Sequence, residues 1–261
     1  MTAYVRAGNR LAVYAQRATS GFWEQSWGGL SEPGLEHALR ATGRLGVDGL
    51  FFRRHLPRKG VVLEAGCGVG IVVKRLSHRG YSCVGVDFSI PSLVRSKRVS
   101  PDLRLAGGDV LNLPFRPASL AAYVSLGVVE HFEDGPHEAL LEAARVLQQG
   151  GALCLSVPYL NGIRQRLLTL TKEEAVARNL EFYQYCFSEA DLSNELRRAG
   201  LRPVGSVAYR NSYRLLRGRL PILRRLGQFL PRESLWTPMF DFVPGLPKLA
   251  AHMMLTAAIK P

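Results

Sequence analysis

The chain has 261 residues, 47% of them hydrophobic, which is enough for one full core with accessory structure. The net charge of +13 indicates either an anionic partner, such as a lipid headgroup, a phosphorylated substrate or nucleic acid, or a soluble protein from an arginine-rich proteome. The four cysteines lack disulfide or zinc spacing, which argues against a disulfide scaffold and a metal site. No apolar run is long enough to span a bilayer. We therefore expect a reduced, cytoplasmic protein.

The first segment, residues 1–58, is predicted to be a helical N-terminal cap with a helix over 36–45. Within it, FWEQSW places Trp23 and Trp27 one helical turn apart. The two indoles either cover a pocket as a lid or fasten the cap to the core.

The run VVLEAGCGVG, Val61 to Gly70, predicts a buried strand, a glycine turn and a helix over 69–78. Such a turn points helix N-terminal amides at a bound ligand. The spacing is E-x-G-x-G-x-G instead of the dinucleotide pattern G-x-G-x-x-G, and Glu64 disfavours a phosphate while suiting a cationic amino group. S-adenosylmethionine has that group, a ribose and no phosphate. An ordinary strand-to-helix loop is the structural alternative.

Two carboxylates follow at the ends of later apolar runs. Asp87 closes VGVD, where it can accept both hydroxyls of a ribose. Asp109 comes after two glycines and can accept the adenine amino hydrogens, or it only initiates a turn. Phe88 either covers the adenine face or belongs to the core.

The remaining pattern alternates strands and helices, as in a parallel α/β sheet. Strands are predicted at 61–64, 83–87, 103–106, 121–126, 151–157, 202–209 and 252–259, with helices between the first five. Residues 59–261 then form one domain with insertions at 159–186 and 210–248.

The second insertion contains a basic stretch, residues 210–232, with seven arginines, no acidic residue and leucines at helical spacing. This composition is typical of helices that lie on an anionic membrane surface. It also fits a cap helix whose apolar face is buried and whose arginines are solvated.

Six segments in order resemble the class I S-adenosylmethionine-dependent methyltransferases, in particular the small-molecule group of the ubiquinone and menaquinone biosynthesis enzymes. They are VVLEAGCGVG, VGVDFS, GDVLNLPF, SLGVVEHF, RVLQQGGALCLSVP and FSEADLSNELRRAGL. The resemblance implies a doubly wound, seven-stranded, mostly parallel sheet closed by an antiparallel hairpin, with S-adenosylmethionine as cofactor. The predicted cofactor-binding residues are Glu64, Gly66, Cys67, Gly68, Asp87, Phe88, Asp109, Val110 and Leu126.

In the resembled family the connection over 159–186 covers the methyl-accepting pocket. Tyr159, Arg164, Tyr183 and Tyr185 are therefore predicted substrate contacts, together with Trp23 and Trp27, although any of the tyrosines can equally pack beneath the loop.

We expect methyl transfer by in-line displacement to a small-molecule or lipid-like acceptor. His131 is the candidate general base, unless Glu130 and His131 only shape their loop. A nucleic-acid acceptor is disfavoured because Leu126 to Val129 replace the N/D-P-P-Y motif of the exocyclic-nitrogen enzymes. A catalytically silent cofactor-binding regulator, an RNA-directed methyltransferase and a different user of the cofactor, such as an aminopropyl transferase, are the alternatives.

Overall fold

A computed structural model of the protein describes residues 2–40, 47–211 and 251–261. Its strands are β1 (Ala3–Ala7), β2 (Arg10–Ala15), β3 (Val61–Ala65), β4 (Ser82–Asp87), β5 (Leu105–Gly107), β6 (Leu120–Leu126), β7 (Leu147–Pro158), β8 (Glu181–Cys186), β9 (Arg202–Asn211) and β10 (Ala251–Ile259). Its helices are α1 (Ser20–Gly28), α2 (Glu32–Arg40), α3 (Val47–His55), α4 (Ile71–His78), α5 (Ile90–Val99), α6 (His137–Val146), α7 (Lys172–Ala177) and α8 (Glu189–Arg198).

Seven strands form the central sheet, in the order β5-β4-β3-β6-β7-β10-β9. Strand β10 pairs antiparallel with β7 and β9, and the pairings among β3 to β7 in this sheet are parallel. The predicted seven-stranded, mostly parallel sheet with a closing antiparallel hairpin is therefore confirmed.

Helices cover both faces of this sheet because neighbouring strand residues point to opposite sides. Leu63 lies in the core under α6 and α8, with Leu140 and Leu196. The adjacent Val62 lies in the core under α2, α3 and α4, with Leu35, Phe52 and Leu76 in the same cluster. This double winding follows from the continuous apolar run that both faces bury.

The strand order contains a reversal that positions the site. The chain adds β4 and β5 on one side of β3, and then crosses to place β6 on the other side. In open α/β sheets the crevice at such a switch point, outside the carboxyl ends of the strands, is the usual ligand site. Here it lies between the ends of β3 and β6.

The prediction of a helical cap over residues 1–58 is wrong for its first part. Strands β1 and β2 form a hairpin, and β2 pairs with β8 to make a second, three-stranded sheet. Two runs separated by Gly8 and Asn9 are a hairpin signal, and burial alternates along β1, with Ala3 and Val5 buried. Helices α1 to α3 follow, and α2 confirms the predicted helix as far as Arg40; its remainder lies outside the described residues.

A second correction concerns the connection between β5 and β6. A helix is predicted there, but residues 108–119 contain none. Two glycines before Asp109, together with Pro114 and Pro117, interrupt any helical run.

The insertion at 159–186 contains a short 3-10 turn, α7 and β8. The insertion at 210–248, including the basic stretch, lies outside the described residues apart from its first two, which end β9. Within the part of the chain that the structure describes, no helix is long and apolar enough to cross a membrane.

Candidate functional site

A cavity of about 520 Å³ lies at the carboxyl ends of the central strands. Each of four successive strands supplies wall residues from its end or from the loop that follows, namely Gly66, Asp87, Asp109 and Leu126. The rest of the wall consists of Arg17, Ala18, Trp23, Trp27, Phe88, Val110, Leu111, Gly127, Val128, His131, Phe132, Glu133, Asp134, Gly135, Glu138 and Phe182. The cavity thus joins predicted cofactor residues, the predicted base and both tryptophans in one space.

Asp87 holds the glycine turn in place from the end of β4. Its Oδ2 accepts a hydrogen bond of 2.7 Å from the Gly68 amide, and its Oδ1 accepts one of 2.9 Å from the Ser89 amide. The carboxylate is buried but forms part of the cavity wall. Each oxygen keeps a further lone pair, so the group can accept two hydroxyl donors from the cavity.

The glycines of the turn are required by close packing as well as by backbone conformation. Gly66 and Gly68 have φ values of +74° and +54°. A Cβ on Gly66 would lie 2.4 Å from Val128 Cγ2, and one on Gly68 would lie 2.8 Å from the Trp27 ring. Gly66 borders the cavity, whereas Gly68 lies beneath the indole. The turn therefore brings α1 and the loop after β6 together.

Glu64 does not reach the cavity, contrary to its predicted role beside a cationic amino group. It is buried, and its Oε2 accepts a 2.8 Å hydrogen bond from the Val73 amide in the first turn of α4. Burial raises the pKa of Glu64 to about 8. Cys67 is also buried outside the cavity wall, and burial raises the pKa of its thiol. Both residues support the turn from behind.

Asp109, Val110, Phe88 and Leu126 line the cavity together. Asp109 Oδ1 accepts the Leu111 amide at 2.9 Å, so the residue does initiate a turn. That bond uses one oxygen and leaves Oδ2 available to a ligand, so the turn and ligand-binding interpretations are compatible. Phe88 is 49% exposed and is therefore not a core residue.

His131 lies in a 3-10 turn, Val129–His131, after β6. Its Nδ1 is 2.7 Å from the Tyr183 carbonyl oxygen. Because a carbonyl only accepts, Nδ1 carries the proton and the neutral ring keeps its lone pair on Nε2. Burial is the main cause that lowers the pKa of His131. The imidazole at the cavity wall therefore keeps an unprotonated Nε2 in its neutral form.

Glu130 lies behind this turn and is 2% exposed. Burial raises its pKa to about 8, and its Oε2 has no hydrogen-bond partner among the described residues. A protonated carboxyl fits this surrounding better than a charged one. Glu130 shapes the loop, while His131 faces the cavity.

Aromatic side chains close the cavity above His131. The Trp23 ring meets the imidazole edge-on at 5.1 Å, and the Tyr183 ring does so at the same distance. Helix α1, which carries Trp23 and Trp27, is fastened at its end by Arg95 of α5, which donates hydrogen bonds to the carbonyls of Trp27 and Leu30. Both tryptophans line the cavity, and Trp27 also packs against the core.

The other predicted substrate contacts do not line this cavity. Arg164 is buried, and its guanidinium donates to the Tyr159 and His252 carbonyls. Tyr185 donates its hydroxyl to the Glu133 carbonyl at 2.8 Å. Tyr183 acts on the site only through His131. Arg164 thus holds its own segment against β10, and Tyr185 fastens β8 to the loop after β6. The composition of the segment alone does not reveal these roles.

Sequence reasoning missed a group of acidic residues in the wall. Glu133, Asp134 and Glu138 are exposed and line the cavity directly after the histidine turn. The segment EDGPHE contains the signal, because three acids in six residues are conspicuous in a chain of net charge +13. Arg17 is the one lysine or arginine in the described wall.

No group of three histidine, cysteine or carboxylate side chains in the described residues is arranged to hold a metal ion. The four cysteines are buried and free.

Residues 63–155 match the family model described as a methyltransferase domain. "Probable S-adenosylmethionine-dependent methyltransferase" of Mycolicibacterium smegmatis is 30% identical over 138 residues, 48% of this chain and 53% of the relative. Demethylmenaquinone methyltransferase of Paenarthrobacter aurescens is 35% identical over 96 residues, 36% of this chain and 37% of the relative. "Probable tRNA methyltransferase 9B" of Homo sapiens is 30% identical over 143 residues, 54% and 30% of the two chains. The chain thus spans about half the length of these curated relatives, or less.

Solved structures of methyltransferases share the fold. One comes from a complex between the Haloferax volcanii Trm112 methyltransferase activator and a methyltransferase, with a TM-score of 0.61, 19% identity and coverage of 93% of this chain and 98% of that one. Another is geranyl diphosphate C-methyltransferase from Streptomyces coelicolor, with a TM-score of 0.58, 14% identity and coverage of 94% and 100%.

Proposed function

We propose that the protein is an S-adenosylmethionine-dependent methyltransferase that transfers a methyl group to a small-molecule acceptor in the described cavity. The match of residues 63–155 to a methyltransferase domain and the shared fold support this. The observation that carries the proposal is the continuity of this space. Asp87, Asp109 and His131 all line a single cavity of about 520 Å³, a volume typical of small-ligand sites.

The residues present fit the cofactor. Asp87 has a buried carboxylate with free acceptor capacity for ribose hydroxyls, and Asp109 keeps one oxygen for an amino group. Phe88, Val110 and Leu126 provide apolar surface for a purine. S-adenosylmethionine bound here would supply a methyl group on a sulfonium. An acceptor lone pair would attack the methyl carbon, and the carbon–sulfur electron pair would stay on sulfur. The protein's main task is then to orient the acceptor and exclude water.

His131 is the proposed proton acceptor. The Tyr183 carbonyl fixes the proton on Nδ1, so Nε2 can take a proton from an acceptor that must be deprotonated. Trp23, packed edge-on against the imidazole, restricts the ring's orientation. A neutral imidazole at physiological pH follows from the lowered pKa.

A nucleic-acid acceptor is the second candidate, since one relative is named as a tRNA methyltransferase and the chain is basic overall. The acidic side chains around the cavity argue against it, because they would repel a phosphate backbone. A silent regulatory protein would keep the cofactor site without needing a positioned base. Association of the basic stretch with an anionic membrane stays a prediction.

Isothermal titration calorimetry tests the cofactor half of the proposal. We expect the full chain to bind S-adenosylmethionine and its demethylated product, and Asp87→Asn to weaken both at least tenfold. The asparagine side chain has only one acceptor oxygen, whereas the two amides of the turn and the ribose hydroxyls together need two. Asp102→Asn is the matched control, because Asp102 is an exposed aspartate bound to Lys74 away from the cavity.

Transfer of tritium from methyl-labelled S-adenosylmethionine into a fractionated extract tests the acceptor half. Label in the small-molecule fraction is expected. Label only in the RNA fraction would favour the second candidate, and cofactor binding with no transfer in any fraction would favour the regulatory alternative.

A further inference from the structure

The cavity carries a charge opposite to that of the whole protein. Five carboxylates, Asp87, Asp109, Glu133, Asp134 and Glu138, line it against the single Arg17, although the chain has a net charge of +13. Such a local reversal creates a potential that attracts cations into the cavity and repels anions.

The cofactor does not account for all of these acids. Asp87 and Asp109 are the predicted ribose and adenine contacts. Glu133 and Asp134 instead lie on the loop after His131, the proposed base, and Glu138 lies in the first turn of α6. Glu133 is paired with Lys172 at 3.0 Å. No ion pair joins Asp134 or Glu138 to a basic residue within the described chain. Two carboxylates therefore stay available to a ligand beside the base.

The cavity interior beside these acids is aromatic. Trp23, Trp27, Phe132 and Phe182 all contribute to the wall, with the imidazole of His131 among them. Aromatic faces attract cations through their quadrupole, most strongly for indole, and they also accept a planar apolar body. Aromatic walls with carboxylates at the rim are a combination that recognises ammonium groups.

We propose that the methyl acceptor is an amine that carries a positive charge in water and has an apolar or aromatic body. This inference rests on the proposed methyl transfer in the same cavity. The ammonium binds between the aromatic walls and the free acids and gives one proton to His131 Nε2, from which it passes to solvent. The neutral nitrogen then attacks the methyl carbon with its lone pair, the carbon–sulfur pair returns to sulfur, and the product is a methylated ammonium. A phosphorylated or carboxylated acceptor would have to enter a wall that holds five carboxylates, one of them paired with Lys172, and a single arginine.

Calorimetry on the full chain saturated with S-adenosylhomocysteine tests the charge preference directly. The probes are 2-phenylethylamine and 3-phenylpropanoate, which share a phenyl ring and a two-carbon linker and differ in the sign of their charge. We expect the amine to bind at least tenfold more tightly, and its affinity to fall as salt is raised, because the rim charges are exposed and screened.

A double variant, Asp134→Asn with Glu138→Gln, is expected to weaken amine binding about fivefold while S-adenosylhomocysteine binds as before, since exposed charge pairs contribute less than about 1 kcal/mol each. The control is Glu173→Gln with Glu181→Gln, which removes two exposed acids that do not line the cavity. It should leave amine binding unchanged.

Four results would overturn the inference while the proposed function survives. These are equal or tighter binding of the carboxylate, no binding of either probe to a chain that binds S-adenosylhomocysteine, no effect of the double variant, and binding of inorganic pyrophosphate that depends on Mg²⁺. Failure to bind S-adenosylhomocysteine would instead contradict the proposed function itself.

Discussion

Replacing Glu64 by glutamine tests whether the glycine turn rests on an uncharged carboxyl. Glu64 is 4% exposed and accepts the Val73 amide at 2.8 Å, yet no described basic residue is paired with it. A protonated carboxyl and a carboxamide have nearly the same shape, and each has an oxygen that can accept this hydrogen bond. Glu64→Gln should therefore keep the turn and remove only the titration.

The magnitude follows from the raised pKa. Burial raises the pKa of Glu64 from 4.5 to about 8, and with one pKa unit equal to about 1.4 kcal/mol, ionisation in the folded chain is about 5 kcal/mol less favourable than in the unfolded chain. Between these two pKa values the folded state binds one more proton. The free energy of unfolding therefore falls as pH rises, by about 1.4 kcal/mol per pH unit in the middle of the window.

Urea unfolding at several pH values between 6 and 8 measures this slope. Over that range the wild type should lose about 2 kcal/mol more stability than Glu64→Gln, because titration slows near pH 8. Glu130 has a similarly raised pKa but remains in both proteins, so its contribution cancels. Glu173→Gln, at an exposed position, should follow the wild type. Parallel pH profiles for wild type and Glu64→Gln would show that Glu64 is ionised in the fold and would refute the reasoning.

Three further predictions concern the base, the turn and the second sheet. In the pH dependence of the methyl-transfer rate, the acid limb should lie below pH 6.5, because the pKa of His131 is lowered from that value and only the neutral ring accepts a proton. The limb should vanish in His131→Gln. An unchanged limb would exclude His131 as the base. Gly68→Ala should destabilise the fold by about 2 kcal/mol more than Gly200→Ala in thermal unfolding. Both glycines have a positive φ, but only a Cβ on Gly68 would meet the Trp27 ring. Equal losses of stability would contradict that packing. Arg10→Met should lower the free energy of unfolding in urea by about 2 kcal/mol, because Arg10 pairs with Asp191 and Glu195 and lies over the Phe187 ring. The control, Arg6→Met at an exposed position of the neighbouring strand, should cost far less. Similar losses would argue against the ion pairs.

The central sheet and the cofactor half of the site could be predicted because their signals are local. A strand, its turn and the start of the next helix are contiguous in VVLEAGCGVG, and the end of β4 is marked by Asp87 itself. Parallel strands bring their carboxyl ends to one edge of the sheet, so residues at those ends meet without any further assumption. Gly66, Asp87, Asp109 and Leu126 accordingly line one cavity.

Glu64 shows where this local reasoning fails. Its position beside the glycine turn is correct, but side chains along a strand alternate between faces, and the pattern alone does not decide whether the carboxyl points toward the ligand or under α4. The structure directs it to the Val73 amide.

The acceptor half was less predictable because it is assembled from distant segments. Trp23 comes from α1, Phe182 from β8 and Glu133 from the loop after β6. They meet only because the N-terminal hairpin pairs with β8, and Arg10 ties that sheet to α8 through Asp191. Pairing across more than 160 residues leaves no periodic signal that links the two strands.

The net charge of the chain does not give the charge of the cavity. A net charge of +13 describes the average surface, whereas the potential inside a cavity depends on the few side chains that fold into its wall. The charged side chains of this wall are mostly acidic, and the Tyr183 carbonyl of the second sheet fixes the tautomer of His131. His131 and the acids that follow it belong to the segment after β6 and to α6, but the second sheet supports that segment, because Tyr185 donates to the Glu133 carbonyl and the Tyr183 carbonyl accepts from His131. A change that loosens the second sheet should therefore impair the proposed acceptor binding and proton transfer together, while the Asp87 side of the cavity keeps its contacts.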